Sequence, residues 1–183
     1  MSKQVKGSLF AEYVQMIRKN KHISWNKHLG SSEMEFLDQI ILPSQWYPYE
    51  IYQQYGAAIF QEIAEGKPQV ACSWGKETMD RLAGLYKENL IEEGDPLKSL
   101  NKFKALTRNV FNFDSFEIIV HDDNHVDIAV DLAFGTKAIQ GYSYQMLGSL
   151  QRLLELSGAD DVKAEFSAKT WEGDDKTMIE LRW

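Results

Sequence analysis

The segment FEIIVHDDNHVDIAVDLAF, residues 116–134, decides the fold class because its apolar residues recur at every second position. The alternation stops at the polar run HDDNH and resumes over residues 126–134. A period of two is typical of a strand with one buried face, and Asp and Asn are typical of the turn between two strands. The segment therefore predicts a β-hairpin, which Gly135 ends.

The rest of the C-terminal part repeats this pattern once. Residues 137–157 have the apolar spacing of an amphipathic helix, and Gly158 follows them as a stop signal. Alternation then returns over residues 162–168 and 177–183, on either side of an EGDD turn. The order strand, strand, helix, strand, strand predicts a four-stranded antiparallel sheet with helices on its apolar face.

The first 113 residues have helical spacing instead. The stretches that fit the i, i+3, i+4 pattern are residues 9–17, 31–42, 48–63, 79–90 and 96–110. We therefore predict an α+β fold in which about five N-terminal helices precede a ββαββ unit. We expect a single domain over residues 1–183, with a helical part at 1–113 and the ββαββ part at 114–183.

Composition excludes some classes of partner. Lys and Arg total 20 against 27 Asp and Glu, a net charge of −7, which disfavours nucleic acid and anionic membranes as partners. No apolar run is long enough for a membrane span, and the first residues lack the pattern of a signal peptide. With Cys72 as the single cysteine, these features predict a cytoplasmic protein without a disulfide.

The segment LPSQWYPYEIYQQYG, residues 42–56, contains one tryptophan and four tyrosines. Helical spacing directs most of these rings towards the interior, where they form either a closed core or the wall of a ligand pocket. We therefore propose a candidate pocket between helices and sheet, lined by Trp46, Tyr52, Tyr55, Trp74, Phe111 and Tyr144. Cys72 lies near it in sequence and is the candidate for a reactive or acylatable thiol.

Catalytic and metal motifs give little support for an enzyme. The sequence has no G-x-S-x-G, no P-loop and no G-x-G-x-x-G. His121 and His125 in HDDNH are metal-ligand types, but their place at a predicted hairpin turn favours turn residues over a metal site. We expect no catalysis, no metal and no cofactor.

Five phrases together carry a resemblance that spans nearly the whole chain. They are GSLF at 7–10, LPSQWYP at 42–48, GDPL at 94–97, the LEL, GA and DV run at 154–162, and a terminal GD followed by ELRW. In order and spacing they resemble a family of uncharacterised bacterial domains that is expanded in myxobacteria. That family is similar to the superfamily of the 4-vinyl reductase domain, the heme NO-binding domains and the core subunits of the TRAPP particle. The resemblance implies an α+β fold that binds small apolar ligands or serves as a dimeric platform.

At several positions this chain departs from the family pattern, so some functions of the family are not expected here. Relatives often have cysteines where this chain has Ala138, Ser167 and Thr177, so a cysteine-based metal or redox role is not expected. The Y-x-S-x-R motif that holds the heme propionates in heme NO-binding domains is missing near Tyr142 and Tyr144, so heme is not expected.

We therefore predict a non-enzymatic sensory domain that binds a small apolar ligand in bacterial signalling, as a homodimer with a signalling partner. The alternative is a ligand-free adaptor that dimerises and binds other proteins, because aromatic residues are also enriched at protein interfaces.

Overall fold

The computed structural model describes residues 2–130 and 136–183, with the backbone alone for residues 136–138. The α-helices in these residues are α1 Gly7–Lys19, α2 Ser31–Leu37, α3 Tyr49–Glu62, α4 Pro68–Leu90, α5 Pro96–Thr107 and α6 Thr136–Leu156. The strands are β1 Gln4–Lys6, β2 Trp46–Pro48, β3 Phe116–Asp122, β4 His125–Val130, β5 Lys163–Ala168 and β6 Thr177–Arg182. Short 3-10 helices lie at Trp25–Lys27 and Thr170–Glu172.

The four strands of the ββαββ unit form one antiparallel sheet in the order β3-β4-β6-β5. This confirms the predicted α+β class and the four-stranded sheet. Its inner face carries fully buried side chains such as Phe116, Ile128 and Ile179, which is the alternation that the sequence showed. The predicted strand positions at Leu132 and Phe134 and the hairpin end at Gly135 lie outside the described residues, as does the side chain of Ala138.

A second, two-stranded sheet was missed by the sequence analysis. In it β1 pairs with β2, and Val5 lies opposite Tyr47. Pro48 therefore ends a strand and immediately precedes α3, whereas the sequence predicts it as the first residue of the helix. Strands of three residues are too short to show a period, which is why the pattern did not reveal them.

Helix α2 ends at Leu37, five residues before the predicted end. Arg18 of α1 explains the difference, since its Nε donates to the carbonyl of Leu37 and its Nη2 to that of Gln39, each at 2.6 Å. A cation that takes the last carbonyls stabilises a helix end at that point. The apolar Ile40 beyond it is consequently exposed.

Helices α4 and α6 pack at very short range through two glycines. A Cβ on Gly75 would lie 2.0 Å from the carbonyl oxygen of Gln145, and one on Gly148 would lie 2.0 Å from that of Cys72. Ser149 Oγ donates to the Gly75 carbonyl at 3.0 Å across the same contact. The two backbones are therefore in direct contact at these glycines, with no side chain between them.

None of the helices in the described residues has both the length and the apolar composition that a membrane span needs.

Candidate ligand site between the helices

A small cavity lies where α1, α3, α4 and α6 meet. Its wall consists of Tyr13, Tyr49, Tyr52, Gln53, Gly56, Phe60, Trp74, Gly141, Tyr142 and Gln145. We call it the tyrosine cavity. The space left inside is about 10 Å³, which is about the room that one water molecule needs.

Aromatic stacking between α1 and α3 builds one side of the tyrosine cavity. The rings of Tyr13 and Tyr52 stack with centroids 4.5 Å apart and planes 6° from parallel, and Tyr49 lies 5.9 Å from Tyr52. Gly56, one turn after Tyr52, leaves room for the Tyr13 ring, because a Cβ there would lie 3.1 Å from Tyr13 Cε2. The spacing of tyrosines and glycine along α3 therefore fixes where the cavity lies.

The polar groups of the cavity wall are neutral. Tyr13 Oη donates to Gln145 Oε1 at 3.1 Å. Burial raises the pKa of Tyr13, Tyr52 and Tyr142, so all three are protonated phenols at neutral pH. The wall holds no Asp, Glu, Lys or Arg among its described residues. Because burying an unpaired charge is costly, an uncharged molecule fits such a wall best.

Three of the predicted site residues lie at the tyrosine cavity or directly behind it. Tyr52 and Trp74 line it. Phe111 is buried behind the wall, with its ring centroid 5.7 Å from Tyr49 and 6.4 Å from Tyr52.

The structure does not bring the other predicted rings to the cavity. Trp46 is 37% exposed on β2, with Lys6 Nζ 4.2 Å from its ring centroid. Tyr55 is fully buried, but its hydroxyl donates to the Glu33 carbonyl at 2.6 Å. Tyr144 packs instead on two other rings, 5.0 Å from Phe166 and 5.8 Å from Trp171.

Cys72 lies on α4, half-buried and outside the cavity wall. Burial raises the pKa of its thiol, and the nearby Lys76 offsets this only in part. The protonated thiol is a poor nucleophile, so its surroundings do not favour the reactive role we considered.

Several wall residues were not identified from the sequence: Tyr13, Tyr49, Gln53, Tyr142 and Gln145. Tyr13 lies on the apolar stripe of α1, and such spacing predicts burial without indicating a cavity. Gln145 could have been identified from the sequence. It lies three residues after Tyr142 and next to Met146, which places a polar side chain on the apolar side of its helix. A polar side chain there needs a hydrogen-bond partner, and in the structure it has one in Tyr13.

The chain has the fold of H-NOX proteins. It is similar to an H-NOX protein from S. oneidensis in the Fe(II)NO ligation state, with a TM-score of 0.62 and 11% identity, covering 97% of this chain and 98% of that one. A mutant H-NOX from T. tengcongensis gives a TM-score of 0.55 and 12% identity over 97% and 95% of the two chains. The Fe(II) unliganded H-NOX protein from K. algicida gives 0.58 and 11% over the same shares.

No protein-family model and no curated protein sequence matches the chain. The heme NO-binding part of the resemblance thus agrees with the fold, while its myxobacterial, 4-vinyl reductase and TRAPP parts stay predictions.

One of the similar solved structures concerns heme distortion in the H-NOX family, so heme is the cofactor to compare with this wall. The residues present do not fit it. The described wall offers no His, Cys or Met as an axial ligand for the iron. Tyrosine ligates heme iron in some proteins, but the raised pKa of Tyr13 and Tyr52 disfavours the phenolate form. The four histidines of the chain, His22, His28, His121 and His125, all lie outside the cavity wall.

Proposed function

We propose that the chain is a non-enzymatic sensory domain that binds a small, uncharged and largely apolar molecule in the tyrosine cavity. The observation that carries this proposal is a void lined by neutral phenols and amides inside an H-NOX fold. Ligand pockets are mostly apolar with a few polar groups that orient the ligand, and this wall has that composition. One H-NOX protein of similar fold is in the Fe(II)NO ligation state, so a domain of this fold binds a small ligand there through iron, and for this chain we propose direct binding in the cavity.

Trp74 is the side chain we assign to opening the cavity. It belongs to the wall and is half-buried, as Tyr13 and Tyr142 also are, but it does not belong to the stack of Tyr13, Tyr52 and Tyr49 that joins α1 to α3. A ligand larger than one water must displace part of the wall, and a half-buried ring leaves with the least loss of buried contact.

The neighbouring contact can carry the signal. Trp74 directly precedes Gly75, which lies against α6 with no room for a Cβ. A shift of α4 at Trp74 therefore changes the α4–α6 contact, and a ligand that prefers the shifted form changes the population of the two forms. A homodimer, a signalling partner and a cytoplasmic location remain parts of this proposal.

The test compares two molecules of similar size and different charge, benzyl alcohol and benzoate, by ligand-observed NMR. We expect saturable binding of benzyl alcohol and none of benzoate. The matched variants are Gly56→Ala, whose methyl group presses on Tyr13, and Gly84→Ala on α4, which has no atom within 4 Å of its added Cβ. Binding should be lost in the first variant and retained in the second. Equal binding in both variants, or preference for benzoate, contradicts the proposal, and an absence of all binding favours the adaptor.

A further inference from the structure

The outer face of the four-stranded sheet brings together residues that the sequence analysis assigned to a turn. Asp123 and Asn124 form the turn between β3 and β4, while His121 and His125 lie on the strands beside it. The register shifts between Val120 and Asp122, which is a β-bulge at His121. The rings of His121 and His125 are consequently 4.5 Å apart and inclined by 30°.

Carboxylates lie next to both imidazoles. His121 Nε2 is 2.9 Å from Asp127 Oδ2, and His125 Nε2 is 2.9 Å from Glu180 Oε1. One ligand atom from each of His121, His125 and Asp127 can be chosen so that all three lie within 4.8 Å of one another.

The charges on this face favour the binding of a cation. His125 Nε2 is shielded from solvent and has the Glu180 carboxylate as its neighbour. Asp127 and Glu180 are direct cross-strand partners on the same face, and like charges in such a pair destabilise a sheet. Arg182 offsets part of this charge through Glu180, to which its Nε donates at 2.8 Å.

We propose that His121, His125 and Asp127 bind one divalent transition-metal ion, Zn²⁺, on the outer face of the sheet. Two imidazole nitrogens and one carboxylate oxygen are a donor set that Zn²⁺ prefers, with bonds of about 2.0–2.2 Å. Ligand atoms within 4.8 Å of one another reach such bonds by small side-chain rotations. Water takes the fourth position, and Glu180 stays paired with Arg182. The ion joins β3 to β4 at the end of the hairpin, away from the tyrosine cavity.

The test is calorimetric titration of ZnCl₂ into the untagged full chain after dialysis against a chelator, with native mass spectrometry to count bound metal. We expect one Zn²⁺ per chain, and an affinity lowered about tenfold or more in His125→Gln and in Asp127→Asn. The matched control is His28→Gln, because His28 forms a histidine–carboxylate pair with Glu62 at 2.5 Å elsewhere on the surface.

Thermal unfolding of each variant without metal shows whether the fold is retained. We expect it to be retained, because the side chains of His125 and Asp127 are partly exposed. The proposal is overturned if the native chain binds no Zn²⁺, or if His28→Gln lowers the affinity as much as the two site variants do.

Discussion

Tyr13 and Tyr52 lie face to face, with centroids 4.5 Å apart, and the Tyr13 hydroxyl also reaches Gln145 of α6. One phenol thus joins α1, α3 and α6. The pair contributes both to packing and to the site, because its rings join α1 to α3 and both residues line the tyrosine cavity.

Replacing Tyr13 by Phe keeps the stack and removes the hydroxyl. Because Gln145 then loses its hydrogen bond from Tyr13, we expect the free energy of unfolding to fall by about 1 kcal/mol. Urea denaturation measures this. Tyr86→Phe is the control, since Tyr86 is 47% exposed and should change stability little. Equal effects of the two substitutions would show that the buried hydrogen bond contributes nothing.

Gly148→Ala tests the close packing of α4 on α6. Its Cβ meets the backbone oxygen of Cys72 at 2.0 Å, so the helices must separate, and we expect a loss of about 3 kcal/mol or more. Gly84→Ala is the matched control, because its Cβ meets nothing within 4 Å. That variant should gain up to about 1 kcal/mol from helix propensity. A mild effect of Gly148→Ala in thermal and urea unfolding would contradict the backbone contact.

We expect the ion pairs of Glu92 to make the free energy of unfolding fall in acid. Hydrogen bonds from Lys102 and Lys98 lower the pKa of its carboxyl from 4.5 to about 2. The folded chain therefore holds this proton less tightly than the unfolded chain, so Glu92 stabilises the fold above pH 4.5. That stabilisation is lost as the pH falls towards 2.

Urea denaturation at a series of pH values checks this for Glu92. The difference in stability between the native chain and Glu92→Gln should shrink as the pH falls below about 4.5. Glu93→Gln is the control, because it removes a negative charge from the next residue in the chain. Glu93 forms an ion pair with Lys87, and both side chains of that pair are well exposed. A difference that stays constant down to pH 2 would rule out this role of Glu92.

Added heme should not bind specifically. The described wall of the tyrosine cavity lacks the usual axial ligands of heme iron. We expect the absorbance spectrum of heme mixed with the chain to equal that of heme mixed with Tyr52→Phe, without the band of a protein-ligated iron. A saturable one-to-one spectral change that Tyr52→Phe abolishes would show that the cavity admits heme after all.

The α+β class could be predicted because periodicity reports which face of an element is buried. Ile118 and Ile128 belong to the series of apolar residues at every second position, each directly after an acidic residue, and the structure places both on the inner face of the sheet. The short pair of β1 and β2 could not be found, since three residues show no period. The sequence predicts α2 five residues too long, because the end of this helix depends on Arg18, a residue of another helix.

The candidate site was only partly predictable for a similar reason. Aromatic rings at helical spacing indicate burial, and Tyr52 and Tyr55 are both buried. Which ring faces a cavity depends on the neighbouring helix: Tyr52 meets Tyr13, whereas the hydroxyl of Tyr55 bonds to the Glu33 carbonyl. The short distance between His121 and His125 likewise depends on a β-bulge, which the local sequence pattern does not predict.

Native mass spectrometry of the untagged chain, compared with its denatured mass, tests the central claim most directly. A sensory domain that binds a small molecule in the tyrosine cavity predicts a native species with a non-covalent addition lighter than heme. That addition should disappear on denaturation and in Gly56→Ala, but not in Gly84→Ala. A native species that carries no addition, whether monomer or dimer, or one that carries heme, would contradict the account.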